Sequence, residues 1–351
     1  MEHIISVETF GARIRTRDGM FVVHLPDLSG AGDHREESFA ACHVHTILLH
    51  QRTSISSDAL LLAEANKVSV IVMNEQQLPA VFMAGARAAA SVDLWKRQLL
   101  IHNTPQGLAF ARQWLIAKIQ RKIEWLSKMR SYRSGPALQT IEQCITALRN
   151  CIVRMHAVPL HREKAAASLR GIEGAGQRLY LDTLNTLLPT QNKFDGRSRQ
   201  PSADLFNAAL NYAYGILYNW TEQALWSAGL NPYIGCMHSD ERHQKALLFD
   251  FIEGYRPWMD KIVFKLCFRR EINAPQHTVS VEQGGLWLNR AGKALLIAAV
   301  KDRFNRKTIE LDGMNRPLLH VISYEARLFA TALAALALPA AEAAALVAEY
   351  C

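Results

Sequence analysis

Residues 229–260 hold the densest set of side chains that could carry out chemistry. Asp250 and Glu253 lie three residues apart in a segment with apolar residues at helical spacing, so both carboxylates project from one stripe of a helix. Because neighbouring buried carboxylates repel, such a pair needs a cation or a proton between them. His238 precedes this helix behind a Gly/Pro turn that could fold the imidazole over the same stripe. These ligand types suit Mg²⁺ or Mn²⁺, and the alternative is a solvated acidic face with a loop histidine.

A third carboxylate that could join such a site is Glu173, in the stretch 165–188. Alanine and glycine residues surround Glu173, and small side chains on one helix let a neighbouring helix approach closely. A glutamate in these surroundings is either a paired core carboxylate or a metal ligand. The residues alone leave both interpretations open.

The order and spacing of these residues resemble those of one known family. Residues 231–238 read Asn-Pro-Tyr-Ile-Gly-Cys-Met-His, and residues 248–257 read Leu-Phe-Asp-Phe-Ile-Glu-Gly-Tyr-Arg-Pro. This pattern is similar to the signature of the CRISPR-associated protein one family, the integrases that insert new spacers into CRISPR arrays. Cys236 and Met237 stand where the family favours Phe and Leu, and Gly254 stands where a larger residue is usual.

The resemblance implies a two-part α+β fold. A small N-terminal β-sandwich over residues 1–90 would form the dimer, and a larger all-α catalytic domain would follow over residues 91–351. The hydrophobic period also shifts from strand-like to helical near residue 90. The implied partners are double-stranded and branched DNA, a second copy of the chain, and CRISPR-associated protein two.

The resemblance also implies which residues act. Glu173, His238 and Glu253 would bind Mg²⁺ or Mn²⁺, and Asp250 would be a further catalytic acid in or beside that ligand set. The implied reaction is attack by the 3′-hydroxyl of a DNA fragment on a repeat phosphate, a transesterification that needs no Ser or Cys nucleophile. Four residues are candidates for DNA contact: Arg178, Arg197, Arg199 and Tyr218.

Two basic segments could bind the DNA backbone. Segment 189–204 lacks an apolar period and predicts a loop, from which Arg197 and Arg199 could each grip a phosphate. Residues 110–129 predict a long helix, and its basic side is either a solvated face or a DNA-tracking surface. The residues on that side are Arg112, Lys118, Arg121, Lys122 and Lys128.

The composition is that of an ordinary globular protein with a basic excess. The 351 residues are enough for about two domains, and the net charge of +8 favours anionic partners such as nucleic acid. The six cysteines form no Cys-x-x-Cys pair, which is typical of a reduced, cytoplasmic protein. No stretch has the form of a signal peptide or a membrane span, so we expect no membrane partner.

Two other classes of function fit part of this pattern. A general branched-DNA nuclease, or a transposon-type integrase of the same fold, would use the same carboxylates and metal. A non-catalytic DNA-binding scaffold would need no metal, and the presence of every ligand-type residue counts against it.

Overall fold

The computed structural model describes residues 3–7, 9–26, 35–66, 68–73, 79–83, 88–198, 202–238, 244–280, 284–306, 308–311 and 313–336. The chain divides into two compact units, one formed by Met1–Trp95 with Trp226–Leu230 and the other by Lys96–Leu225 with Asn231–Cys351. The roles assigned from the sequence, dimerisation for residues 1–90 and catalysis for residues 91–351, stay predictions.

The first unit contains two four-stranded sheets and one short helix, α1. One sheet has the order β1-β5-β7-β8 and the other β4-β3-β2-β6. The strands are β1 His3–Val7, β2 Arg13–Arg17, β3 Met20–Leu25, β4 Arg35–Ala40, β5 Val44–Leu49, β6 Ser54–Ile55, β7 Ser69–Met73 and β8 Pro79–Met83, and α1 is Ser57–Ala65.

Local sequence signals explain these strands and their core. The β2–β3 hairpin turns at Asp18 and Gly19, both with positive φ, which is the backbone that a two-residue Asp-Gly turn requires. Apolar residues of both sheets share one core, with Ile47 from the first sheet and Phe21 from the second both fully buried. The side chain of Ser56 caps α1 by accepting the N–H of Ala59 at 3.2 Å. The predicted sandwich is therefore confirmed.

The second unit is mostly helical. Its helices, together with α2 that leads into it, are α2 Ala88–Ile101, α3 Pro105–Arg130, α4 Gly135–Ala157, α5 Ala165–Leu187, α6 Leu205–Ser227, α7 Ala246–Ile252, α8 Arg256–Phe268, α9 Ala274–His277, α10 Arg290–Arg306 and α11 Leu318–Ala334. Two small hairpins add β9 Thr278–Ser280, β10 Leu286–Leu288, β11 Thr308–Leu311 and β12 Met314–Pro317. The fold class is α+β as predicted, but the second part is not purely α-helical.

Helix α3 runs through the middle of this unit. Thr104 caps its first turn and Pro105 occupies a position that needs no N–H donor. Further along, Trp125 packs edge-to-face against Tyr180 of α5 and Phe264 of α8, with ring centroids 6.1 and 5.3 Å away. Because neighbouring helices cover α3 on several sides, some of its polar residues are also enclosed.

The predicted basic side of α3 is therefore not a continuous surface. Lys118 is 2% exposed and Lys122 is 1% exposed. Arg121 lies over the ring of Trp258 at 4.7 Å and donates to the carbonyl oxygen of Gly254 at 2.6 Å. The prediction of a solvated or DNA-tracking face is wrong for these three residues, although Lys128 is exposed.

Among the described residues, no helix is long and apolar enough to cross a bilayer.

Candidate active site

Asp250 organises the loop that carries His238. Its oxygen Oδ2 accepts the backbone N–H groups of Cys236 at 2.7 Å and Met237 at 2.9 Å. The other oxygen, Oδ1, lies 2.5 Å from Nδ1 of His238, and the carboxylate is fully buried. The turn does fold the imidazole back onto α7, and Asp250 is the group that fixes it there.

A glycine allows the loop to approach α7 this closely. A Cβ at Gly235 would lie 2.7 Å from Cβ of Ala246 and 3.0 Å from Oδ2 of Asp250, distances at which the loop would have to move. Close approach, rather than an unusual φ, is therefore what requires glycine at this position.

The contact with Asp250 determines which nitrogen of His238 is available. An ionised carboxylate only accepts hydrogen bonds, so Nδ1 carries the proton and donates it to Oδ1. The lone pair is then on Nε2, and an imidazole oriented by a carboxylate in this way is the usual arrangement of a metal-binding histidine. The side chain is 31% exposed, so solvent and substrate can reach it.

Glu253 lies just beyond Ile252, the last residue of α7, and has partners of its own. Oε1 accepts from Nη1 of Arg256 at 2.7 Å, and Oε2 accepts from Nζ of Lys118 at 2.5 Å. The interpretation of Asp250 and Glu253 as one repelling pair is wrong, because each carboxylate meets separate donors.

Lys118 links Glu253 to the third predicted acid. Its ammonium also donates to Oε1 of Glu173, on α5. This bond joins α3 to α5, although Lys118 and Glu173 are 55 residues apart in the chain. Two carboxylates from distant segments therefore share one buried ammonium group.

The charges of this cluster stabilise one another. Burial alone would lower the pKa of Lys118, but Glu253 and Glu173 outweigh it and hold that pKa above its ordinary value. Burial alone would raise the pKa of Glu253, but Arg256 and Lys118 outweigh it and hold that pKa at about 2. Glu253 and Lys118 are therefore both charged at neutral pH.

Lys122, one turn further along α3, has a different environment. Its ammonium donates to Oε1 of Gln177, a neutral amide on α5, and lies 4.6 Å above the ring of Tyr180. Burial, and then the positive charge of Lys118, lower the pKa of Lys122 to about 7. This lysine therefore changes charge near neutral pH, unlike Lys118.

Arg256 connects the carboxylates to the tyrosines of α6. Its Nη2 donates to the hydroxyl of Tyr218 at 2.8 Å, and its guanidinium lies 5.2 Å from the ring centre of Tyr214. Tyr214 in turn donates to Oδ1 of Asp260 at 2.6 Å. Arg256 thus links Tyr218, a candidate for DNA contact, to Glu253.

An open cleft of about 640 Å³ lies in front of His238. Its walls combine apolar residues such as Leu108 and Met237 with the basic residues Arg162, Lys164 and Arg170. Nη1 of Arg170 donates to the carbonyl oxygen of Met237 at 3.1 Å and so fixes that guanidinium beside the His238 loop. An anionic chain could enter this cleft and reach the imidazole.

The other candidates for DNA contact differ in the partners that their side chains already have. Arg178, on α5, and Arg197 are both exposed. Arg197 is not free to grip a phosphate as predicted, because its guanidinium donates to Oδ1 of Asn207 at 3.0 Å and to Oδ1 of Asn211 at 2.5 Å. Arg199 lies outside the described residues.

The donor set fits a divalent ion, although the side chains are not assembled around one. Among the described residues, no group of three or more His, Cys, Asp or Glu side chains is placed to hold a metal. Glu173 and Glu253 do meet at a single cation, the ammonium of Lys118, and Nε2 of His238 is available. Two carboxylates and an imidazole suit Mg²⁺ or Mn²⁺, so metal binding by this triad stays a prediction.

Comparison with known proteins identifies the family of this chain. The family model described as CRISPR associated protein Cas1 matches residues 5–302. The chain belongs to the Cas1 family. A relative from Pyrobaculum aerophilum, "CRISPR-associated endonuclease Cas1 2", is 30% identical over 337 residues, which are 94% of this chain and 98% of that protein.

Solved structures show that the Cas1 fold extends over the whole chain. A chain from a "Partial Cas6-RT-Cas1--Cas2 complex" superposes with a TM-score of 0.73 at 20% identity, covering 95% of this chain and 96% of that one. A "Casposase bound to integration product" superposes with a TM-score of 0.66 at 18% identity, covering 95% of both chains.

Sequence-based reasoning missed the cations of this Cas1-family site. The sequence pattern predicts Lys118 and Lys122 on the surface, and it indicates no role for Arg256. One signal was present: Lys118 and Lys122 are four residues apart on α3, and their partners Glu173 and Gln177 are four apart on α5. Matched i, i+4 pairs are what two parallel helices in contact would present.

Proposed function

We propose that this protein is a metal-dependent DNA endonuclease and integrase of CRISPR adaptation. The observation that carries the proposal is the meeting of Glu173 and Glu253 at one cation position, together with a histidine that is oriented by Asp250, three residues before Glu253. Membership of the Cas1 family supports the reaction class, since the relative from Pyrobaculum aerophilum is named an endonuclease.

In the proposed reaction, the 3′-oxygen of an incoming DNA fragment attacks a phosphorus atom at the repeat boundary. The attacking hydroxyl gives up its proton as a new P–O bond to the 5′ end of the repeat forms. The P–O bond to the nucleotide on the other side of the boundary breaks, and its departing 3′-oxygen takes up a proton. Mg²⁺ or Mn²⁺ held by Glu173, His238 and Glu253 would supply a Lewis acid for this step. No group on the enzyme becomes covalently attached.

The remaining residues of the site position groups for that step. Asp250 keeps the proton on Nδ1 of His238 and thereby directs Nε2 outward. Arg162, Lys164 and Arg170 give the cleft a basic wall that can hold a DNA phosphate. Arg256 bridges Glu253 and Tyr218, which places a hydroxyl near the acidic pair.

The proposed partners follow from the same comparisons. The neighbouring structure of a complex whose title names Cas1 and Cas2 supports CRISPR-associated protein two as a partner, and the casposase with its integration product supports branched DNA as a substrate. We further propose a homodimer formed by the N-terminal sandwich, in the cytoplasm. Light scattering that finds a stable monomer at micromolar concentration would contradict the dimer.

The decisive experiment is strand transfer on branched DNA with Mg²⁺, with Mn²⁺ and with a chelator. We expect His238→Ala and Glu173→Gln to abolish transfer while both variants keep a cooperative unfolding transition. Glu222→Gln is the matched control, because Glu222 is a largely buried glutamate that pairs with Lys245 and not with the cation that Glu173 and Glu253 share. Wild-type activity in both site variants, or full activity in chelator, would overturn the proposal. No strand transfer by the wild-type protein with either metal would favour the scaffold alternative.

A further inference from the structure

The position between Glu173 and Glu253 is already filled by a cation that belongs to the chain. Nζ of Lys118 donates to Oε1 of Glu173 and to Oε2 of Glu253, and the lysine side chain is 2% exposed. The second oxygen of Glu253, Oε1, is taken by Arg256 at 2.7 Å. Each oxygen of Glu253 thus has a cationic donor before any metal binds.

A divalent ion and this ammonium cannot occupy the pair together. Mg²⁺ binds carboxylate oxygen at about 2.0–2.1 Å, so an ion that bridges the two carboxylates must lie where Nζ now lies. Repulsion between the metal and a buried ammonium also adds to the steric conflict. Either the metal stays off the pair or the lysine leaves it.

Lys118 is better suited to leave than its neighbour Arg256. An ammonium on a four-carbon stem is a point charge with freely rotating donors, whereas Arg256 is fixed by Glu253, by the hydroxyl of Tyr218 and by the ring of Tyr214. Lys118 has only the two carboxylates as hydrogen-bond partners among the described residues.

We propose that Lys118 is a resident counter-ion of the active site, which holds Glu173 and Glu253 together in the metal-free protein and which a divalent ion displaces on binding. The inference rests on the metal site of the proposed function. It gives Lys118 a positioning role with two opposite consequences. The lysine keeps the carboxylates assembled without metal, and it lowers the affinity of the pair for metal.

The first test measures Mn²⁺ binding to the full chain by electron paramagnetic resonance of the free ion. We expect Lys118→Met to bind Mn²⁺ at least about tenfold more tightly than wild type, within the roughly 5- to 150-fold range typical of coupling between bound ligands. Lys122→Met is the matched control, since Lys122 is equally buried on the same helix but contacts an amide. The Mn²⁺ affinity of Lys122→Met should therefore change much less.

Glu173→Gln in both backgrounds distinguishes the two proposals. If Glu173→Gln removes Mn²⁺ binding while Lys118→Met leaves the affinity unchanged, the metal site stands and the counter-ion role is wrong. If no Mn²⁺ binding depends on Glu173 in either background, the metal site fails and the inference fails with it.

A measurement on the wild-type protein covers the case in which Lys118→Met does not fold. Acylation of lysines by an amine-reactive reagent, followed by peptide mass spectrometry, reports the accessibility of each ammonium. Lys118 should be protected in chelator and should react at least about tenfold faster in saturating Mn²⁺, while Lys128, which is exposed, reacts equally in both. Protection of Lys118 that persists in saturating Mn²⁺ would overturn displacement.

Discussion

Lys122 makes the stability of this protein depend on pH in a way that can be worked out from its surroundings. Burial and the nearby charge of Lys118 hold its pKa at about 7 in the folded chain, against an ordinary value of 10.5. Each pKa unit corresponds to about 1.4 kcal/mol, so keeping Lys122 charged in the core costs roughly 5 kcal/mol. The carboxylates of Glu173, Asp260 and Glu253 raise that pKa, and their effect is already included in the value of about 7.

The sign follows from counting protons in the two states. Between pH 7 and pH 10.5 the unfolded chain keeps a proton on Lys122 that the folded chain has released. The folded state therefore gains stability as pH rises through this window, by about 1.4 kcal/mol for each pH unit. Below about pH 7 both states carry the proton and the full penalty applies.

Lys122→Met removes the titrating group while keeping a side chain of similar length. We expect the free energy of unfolding of Lys122→Met minus that of wild type to be constant from pH 6 to 7 and then to fall by roughly 2–3 kcal/mol between pH 7 and 9. Urea titrations at each pH measure this difference in unfolding free energy. The contributions of titrating groups that both proteins share cancel in it. Lys128→Met, an exposed lysine on the same helix, should give a flat difference. A difference for Lys122→Met that is the same at pH 7 and pH 9 would refute the reasoning.

Two further predictions concern positions where the structure changed the interpretation. Asp250→Asn should cost about 1–3 kcal/mol of stability, because a neutral amide replaces the carboxylate that binds two backbone N–H groups and Nδ1 of His238; strand transfer should fall with it, and wild-type activity would contradict the orienting role. Both Arg197 and Arg178 are exposed, but the guanidinium of Arg197 is bound to Asn207 and Asn211. Arg197→Ala should therefore lower the urea midpoint while leaving the salt dependence of DNA binding unchanged, whereas Arg178→Ala should flatten the salt slope. The opposite pattern in DNA titrations at several salt concentrations would return Arg197 to the DNA surface.

Short-range signals in the sequence were sufficient for the elements themselves. Asp18-Gly19 specifies a two-residue hairpin because both residues tolerate positive φ, and Ser56 specifies the start of α1 because its hydroxyl can accept an orphan N–H. The turn before α7 was likewise predictable, since Gly235 is the residue that permits its close approach. Each of these signals lies within a few residues of the structure that it determines.

The partners of the charged residues could not be predicted in the same way. Helix α3 has polar residues on more than one side, and only the packing of α5 and α8 decides that Lys118 and Lys122 are enclosed while Lys128 is exposed. The spacing of Asp250 and Glu253 indicates one shared stripe, but it does not indicate that Asp250 binds the His238 loop while Glu253 binds Lys118 and Arg256. A contact between residues 55 or 135 positions apart leaves no mark in a local pattern.

The buried ions of the second unit are difficult to explain by stability alone. Replacing a buried ion pair with apolar side chains of similar volume is often neutral or stabilising by about 1–4 kcal/mol, so a core optimised for stability has little use for Lys118, Glu173 and Glu253. Removing only Glu253, in contrast, takes one carboxylate acceptor from each of the buried cations Lys118 and Arg256 and should cost about 3–5 kcal/mol, not relieve a repulsion. The pair is thus held at a definite separation by cations, one of them fixed by three contacts and the other by two carboxylates alone. This combination suits the proposed metal site, because the fixed cation would preserve the geometry of Glu253 while the other could be exchanged for a divalent ion.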